Sequence, residues 1–390
     1  MRLTFNSNTD PKIDSSDWTN WTWQLKNSLS TLQDFEKCLT LTEDERRFFD
    51  KKSPFQVRVT PYYMQLATTP AIRKILLPSQ MEYQAFTQEM PDPLAETKNN
   101  PVSRIVHRYP DRALFLITDM CSVYCRFCTR KYFTGQEQSF IKSNEYEAAL
   151  SYIKSKPQIR EVILSGGDPL TISDQLLLKT LKDLRAIEHV EIIRIGSRMP
   201  VVCPMRITRE LALGLREYAP VFFMTHFNHP KELTAEAGAA LGLLVDHGIP
   251  VFNQSVLLNG VNNHPAIMQA LSRRLLYLRV KPYYMFQCDP SMGSDHLRTS
   301  VEESLAIQRE LWGRLSGLAM PNLSLDIPGG GGKVALVPEF ETSHFGNKRT
   351  YCGFDGISGE YVNPCPTLHA LPDDIADYAE EFELIKKKSL

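Results

Sequence analysis

Three cysteines fall within eight residues of this chain, as CSVYCRFC, with the spacing Cys121-x3-Cys125-x2-Cys128. Thiolates are soft ligands suited to iron–sulfur clusters and to zinc. Zinc sites usually bring four ligands, often as two pairs, and no second pair accompanies this triplet. A cubane cluster held by three thiolates keeps one iron open to orient another molecule. The other five cysteines, Cys38, Cys203, Cys288, Cys352 and Cys365, are scattered and read as small apolar residues. A second constellation is Pro328–Gly329–Gly330–Gly331–Gly332–Lys333. Val334 follows the lysine where a P-loop needs Ser or Thr, so this is not a nucleotide cradle. A neutral lysine ending a pliant glycine run can reach a carbonyl and form a Schiff base. A third is Ser165–Gly166–Gly167–Asp168, where glycines let the backbone approach a ligand closely; a plain tight turn reads the same way in isolation.

These residues need elements to carry them. From about residue 113, short apolar runs alternate with amphipathic stretches. ALFLIT, EVILS, VEIIRI, VFFMT, PVFNQ, KPYYMF and LSLDI read as buried strands, with helical patterns between several of them. Continuous apolar strands alternating with helices predict a parallel α/β architecture. Roughly six or seven units suit a partial (β/α) barrel, with an open doubly wound sheet as the alternative. In either fold, chemistry sits at the C-terminal ends of the strands. The cysteine triplet and Ser165–Asp168 fall at such ends, and so do Ser197, Arg198, His226 and Gln254.

The chain divides into residues 1–100, mainly helical and polar; 101–337, the barrel; and 338–390, an irregular extension ending in a charged, helix-like stretch. Thr42 and Glu45 have the spacing of a capping box. Residues 90–103, MPDPLAETKNNPVS, read as a linker or an ordered loop.

Of 390 residues, 43% are hydrophobic and 23% charged, enough to bury a core, with a formal net charge of -1. That balance argues against a broad basic surface for nucleic acid. No apolar run approaches the roughly 20 residues of a membrane helix. The start, MRLTFNSNTDPKID, lacks the order of a signal peptide. A cytoplasmic enzyme without a disulfide framework is expected.

A CxxxCxxC after the first strand of a β/α barrel resembles the radical S-adenosylmethionine (SAM) enzymes. The stretch LITDMCSVYCRFCTRK resembles the lysine 2,3-aminomutases more narrowly. So do HRYPDR, LSGGDPL, RIGSRMP, THFNHP, NQSVLLNGVN, PYYMFQCD and DIPGGGGK, in order, from about Trp18 to about Pro338.

The resemblance implies an isomerase that converts L-lysine to β-lysine with a 4Fe–4S cluster, SAM and pyridoxal 5′-phosphate (PLP). It implies Cys121, Cys125 and Cys128 as cluster ligands. Ser165, Gly166, Gly167, Asp168, Ser197, His226 and Gln254 would surround SAM. Lys333 would hold PLP, with Arg108 and Arg112 near its phosphate and Tyr109 beside it. Arg130 would take the substrate carboxylate, and Asp289 and Asp326 the distal ammonium. A small-molecule amino acid substrate, an electron donor such as flavodoxin or ferredoxin, and a homo-oligomer are the implied partners. Arginine as substrate, or lysine destined for elongation factor P, is the alternative.

The sequence also departs from the family. Phe127 stands between the second and third cysteines where the best-known members have His, and His264 replaces a cysteine. Only Cys352 and Cys365 remain in the tail, so no structural zinc is expected there.

Overall fold

The computed structural model describes residues 15–84, 88–135, 140–364, 374–376 and 379. The start of the chain, Cys365 and most of the charged terminal stretch lie outside the described residues.

Nine strands form one sheet in sequence order. They are β1 (Ile105–Tyr109), β2 (Arg112–Thr118), β3 (Glu161–Gly166), β4 (Ile192–Gly196), β5 (Val221–Thr225), β6 (Val251–Leu257), β7 (Val280–Gln287), β8 (Asn322–Ile327) and β9 (Gly332–Ala335). From β2 to β8 every pairing is parallel. β1 and β9 add antiparallel edges. Each of the seven apolar runs in the sequence is one of the parallel strands. Helices Ser143–Lys154, Asp174–Arg185, Arg209–Glu217, Ala235–Asp246, Pro265–Tyr277 and Val301–Leu311 return the chain between them. Several start on hydroxyl caps: Ser173, Thr208, Thr234 and Ser300 each accept a backbone N–H of the first turn. The architecture is therefore the expected partial (β/α) barrel.

Two strands escape the apolar pattern. β1 starts on the buried Ile105 and Val106, continues with His107, Arg108 and Tyr109, and turns directly into β2 at Pro110–Asp111, with Tyr109 paired to Arg112. β9 begins at Gly332, and the glycine run is the turn of a β8–β9 hairpin. Gly332 has φ +88, a left-handed conformation that a side chain would strain.

Between residues 15 and 99 the helices are short, from Ser15–Trp18 to Pro70–Leu76. Prolines 54, 61, 70 and 78 break the runs. The capping box at Thr42 and Glu45 is formed. The segment packs against the mouth of the barrel: Arg126, in the cysteine loop, donates to Glu82 and to the Gln56 carbonyl, and Tyr124 N–H donates to Arg58. The tail is more regular than its Gly-, Asn- and Pro-rich composition suggests. β10 (Glu341–Phe345), β11 (Lys348–Cys352) and β12 (Ser358–Val362) form an antiparallel sheet of largely exposed residues. Among the described residues no helix is long and apolar enough to cross a membrane.

Candidate active site

The C-terminal ends of the strands open into one cavity of about 590 Å³. Its walls include every residue the sequence singles out for the site, from Cys121, Cys125 and Cys128 at one end to Arg108, Asp289, Asp326 and Lys333 at the other.

The cysteine loop leaves β2 and returns beside β3. Gly166 sits at φ +122, and a Cβ there would lie 2.1 Å from the Thr118 carbonyl oxygen. Gly167 N–H donates to that carbonyl at 2.7 Å and Asp168 N–H to the Met120 carbonyl at 2.8 Å. The glycines therefore admit the cysteine loop itself, where the sequence suggested room for a ligand. Asp168 is buried, and its carboxylate accepts Ser197 Oγ at 2.7 Å, Arg198 N–H at 2.8 Å and Leu170 N–H at 3.0 Å. Burial raises its pKa against these hydrogen bonds.

The three thiols are free. Burial pushes the Cys121 thiol well above its ordinary range and raises Cys128 too. Arg130 N–H donates to Cys128 Sγ at 3.3 Å and Arg198 Nη1 to Cys125 Sγ at 2.9 Å. Three clustered soft donors, supported by N–H groups, fit an iron–sulfur cluster, whose irons would stabilise their thiolate forms. Among the described residues no three His, Cys, Asp or Glu side chains converge on a single metal ion. A cubane instead takes its thiolates on separate irons.

Next to the thiols, His226 Nε2 and Thr225 Oγ1 are buried without a partner. Burial, with Arg198 nearby, lowers His226 to about 3, so its imidazole is neutral. Such orphaned groups fit a polar ligand like SAM. Phe127 packs its ring 5.4 Å from His226 and lies beneath the Arg198 guanidinium. Gln254 faces the cavity from the register shift in β6.

At the far end, Lys333 N–H donates to Tyr109 Oη at 3.0 Å, and Arg108 Nε to the Gly330 carbonyl at 2.6 Å. The Arg112 guanidinium lies 3.9 Å from the Tyr109 ring centroid. Arg108, Arg112, Arg194 and Lys333 bring N–H donors there, with Arg112 paired to Asp111, Arg194 to Glu161 and Lys333 to Asp326, and this donor set suits a phosphate-bearing aldehyde. Lys333 Nζ lies 2.8 Å from each Asp326 oxygen, and 4.4 Å from the Phe286 ring centroid. Burial and the negative charge of Asp326 push Asp289 up to about 7.

Arg130 lies midway. Its Nε and Nη2 donate to Glu96 at 2.8 and 2.6 Å, and its Nη1 to Ser165 Oγ at 3.1 Å. Burial disfavours its charge, and Glu96 overrides that, holding its pKa above the ordinary value. Glu96 is absent from the sequence-based site, as are Tyr284 and Phe286. Glu96 sits in a proline-bracketed polar stretch that reads as a linker; its position just before HRYPDR was the available signal.

A thiol-lined cavity at the strand ends of a partial β/α barrel defines a radical SAM enzyme. The sequence model of the Radical SAM superfamily accordingly matches residues 115–270. A second model, Lysine-2,3-aminomutase, matches residues 308–389 and carries the likeness past Pro338. L-lysine 2,3-aminomutase of Acetoanaerobium sticklandii is 44% identical over 357 residues, 90% of this chain and 86% of that protein. The Fusobacterium nucleatum L-lysine 2,3-aminomutase is 41% identical over 96% of this chain and 89% of its own. Glutamate 2,3-aminomutase of Clostridioides difficile is 39% identical over 84% of this chain and 78% of its own. The chain belongs to the lysine 2,3-aminomutase family of radical SAM isomerases, whose chemistry uses SAM and a 4Fe–4S cluster.

Proposed function

We propose that this protein moves the α-amino group of L-lysine to C3, giving β-lysine, with PLP as its third cofactor. One observation supports lysine over glutamate: two carboxylates, Asp289 and Asp326, share the end of the cavity, and Asp326 already holds an alkylammonium, that of Lys333. A glutamate side chain would meet like charge there. The relatives named above are L-lysine and glutamate 2,3-aminomutases, and their names favour lysine over arginine.

When bound, the cluster with SAM supplies a carbon radical, and PLP supplies the carbonyl that carries the migrating nitrogen. This chain's residues do the rest. Cys121, Cys125 and Cys128 fix the cluster at one end. Ser165 to Asp168, Ser197, His226 and Gln254 line the region beside it for SAM. Arg108 and Arg112 offer donors to the PLP phosphate, and Tyr109 holds the backbone of Lys333. For Lys333 to react with a carbonyl, Nζ must release a proton to solvent, to which its side chain is 27% exposed, and leave the Asp326 carboxylate. Asp326 is then open to the substrate's ε-ammonium, with Asp289 beside it. Arg130 presents a planar fork to the α-carboxylate. Phe127, Tyr284 and Phe286 keep water from the reacting carbon.

The proposal includes the division into residues 1–100, 101–337 and 338–390. It also includes a small electron-transfer protein as reductant, a homo-oligomer and a cytoplasmic setting. The test is anaerobic reconstitution with iron, sulfide and PLP, then SAM, a reductant and lysine, arginine or glutamate, with products read by mass spectrometry and NMR. β-Lysine alone is expected. β-Arginine or β-glutamate in its place would overturn the substrate, and SAM cleavage without rearrangement would overturn the mutase.

A further inference from the structure

We propose that Glu96 is a positioning residue for the substrate's α-carboxylate, acting through Arg130; the inference rests on the carboxylate role given to Arg130 above. A flexible guanidinium discriminates poorly unless something fixes its plane. Glu96 fixes it from the side. It engages Nε and Nη2, and Ser165 takes Nη1. Of the five guanidinium N–H groups, one on each terminal nitrogen remains. Those two are what a carboxylate needs for a paired contact.

Glu96 is itself held on every side. Its side chain is 6% exposed and accepts Tyr132 Oη at 3.0 Å. Its backbone N–H donates to Asp92 Oδ1 at 3.0 Å, and the same carboxylate accepts Thr97 N–H and Oγ1 at 2.9 and 2.7 Å. Ala95 before it is in the left-handed region at φ 49. That turn is also docked on the glycine hairpin. Gly329 N–H donates to the Pro93 carbonyl at 2.8 Å, and a Cβ on Gly330 would lie 3.0 Å from the Ala95 Cβ. One turn therefore orders both the guanidinium that meets the carboxylate and the loop that carries Lys333.

The test is a double-mutant cycle on the reconstituted holoenzyme with Glu96→Ala and Arg130→Lys. KM for lysine and for SAM are measured separately, with melting temperature and bound iron as controls. If Glu96 acts through Arg130, each single change raises the lysine KM about tenfold or more and the double variant matches Arg130→Lys within about twofold. The SAM KM stays near wild type. Glu96→Gln, which keeps the volume and one acceptor, falls between wild type and Glu96→Ala, and it replaces Glu96→Ala if that variant loses iron or melts early. Additive effects, an unchanged lysine KM in the Glu96 variants, or an equal rise in the SAM KM would overturn the proposal. An Arg130→Lys enzyme with wild-type lysine KM would instead overturn the role of Arg130. A wild-type enzyme that rearranges another amino acid would overturn only the substrate, and the cycle is then read with that amino acid.

Discussion

Lys333 and Asp326 are register partners across the β8–β9 hairpin, and Nζ of the lysine lies 2.8 Å from both carboxylate oxygens. Under the proposed function, one carboxylate would serve two ammonium groups in turn, that of Lys333 and that of the substrate. Replacing Asp326 by Asn removes a charged acceptor from each. Charge-assisted hydrogen bonds contribute about 1.5–3 kcal/mol, so the lysine KM is expected to rise on the order of 10- to 100-fold. Steady-state kinetics at saturating SAM checks this; a KM within twofold of wild type would remove Asp326 from lysine recognition.

Lys333→Ala removes the only group given a covalent role. The variant should fold, since Lys333 is a partly exposed residue on an edge strand. It should bind iron as the wild type does, lose the PLP absorbance band, and fall by at least about a thousandfold in turnover. Exogenous alkylamine offers a check, since partial rescue would show that the amine alone was lost.

Asp289 gives a pH signature. Burial and Asp326 raise it to about 7, against the opposing pull of Lys333 and Arg298. In the substrate-free protein it therefore binds its proton more tightly than in the unfolded chain. That contribution to stability is complete at low pH and is lost as pH rises towards about 7. A substrate ammonium favours the ionised form, so kcat/KM for lysine should rise with pH through the same range. Asp289→Asn should flatten that limb, relative to wild type, in both the melting temperature and kcat/KM. An unchanged profile in the variant would assign the limb to another group.

Arg126, between Cys125 and Phe127, is buried against Glu82, with Nε 2.8 Å from a carboxylate oxygen and the guanidinium over the Phe48 ring. Breaking a buried pair from one side leaves an uncompensated charge and costs about 3–5 kcal/mol. Arg126→Ala should therefore melt earlier and retain less iron after reconstitution. Arg126→Met with Glu82→Gln should recover much of the loss, measured by thermal melting and iron content.

The barrel was legible because its parallel strands read as apolar runs with one face fully buried and the other partly covered. Ile193, Ile195, Val221 and Phe223 are nearly or fully inaccessible. β1 and β9 were not, because β1 has only Ile105 and Val106 as buried apolar residues before His107, Arg108 and Tyr109, and β9 carries Gly332 and Lys333 to the cavity. The site residues were legible where chemistry demands a rare pattern, as in Cys121–Cys128 and the glycine run. Glu96 was not, because one carboxylate in a polar turn has no pattern, and only the fold brings it to a residue 34 positions away. The role of Gly166 was half legible: close approach was foreseen, but what approaches is the Thr118 carbonyl.

The ends of the nine-stranded sheet do not share a ladder; Tyr109 and Arg108 of β1 meet Lys333 and Gly330 through a single hydrogen bond each. The partners in the first of these are 224 positions apart in the chain. The cysteine loop therefore precedes the lysine end by most of the barrel, and bringing Tyr109 and Lys333 together carries the entropic cost of closing a long loop. A ligand that contacted both sides of that join would add its binding free energy to the closure. Whatever binds between Tyr109 and Lys333 would thus also tie the first strand of the sheet to the last.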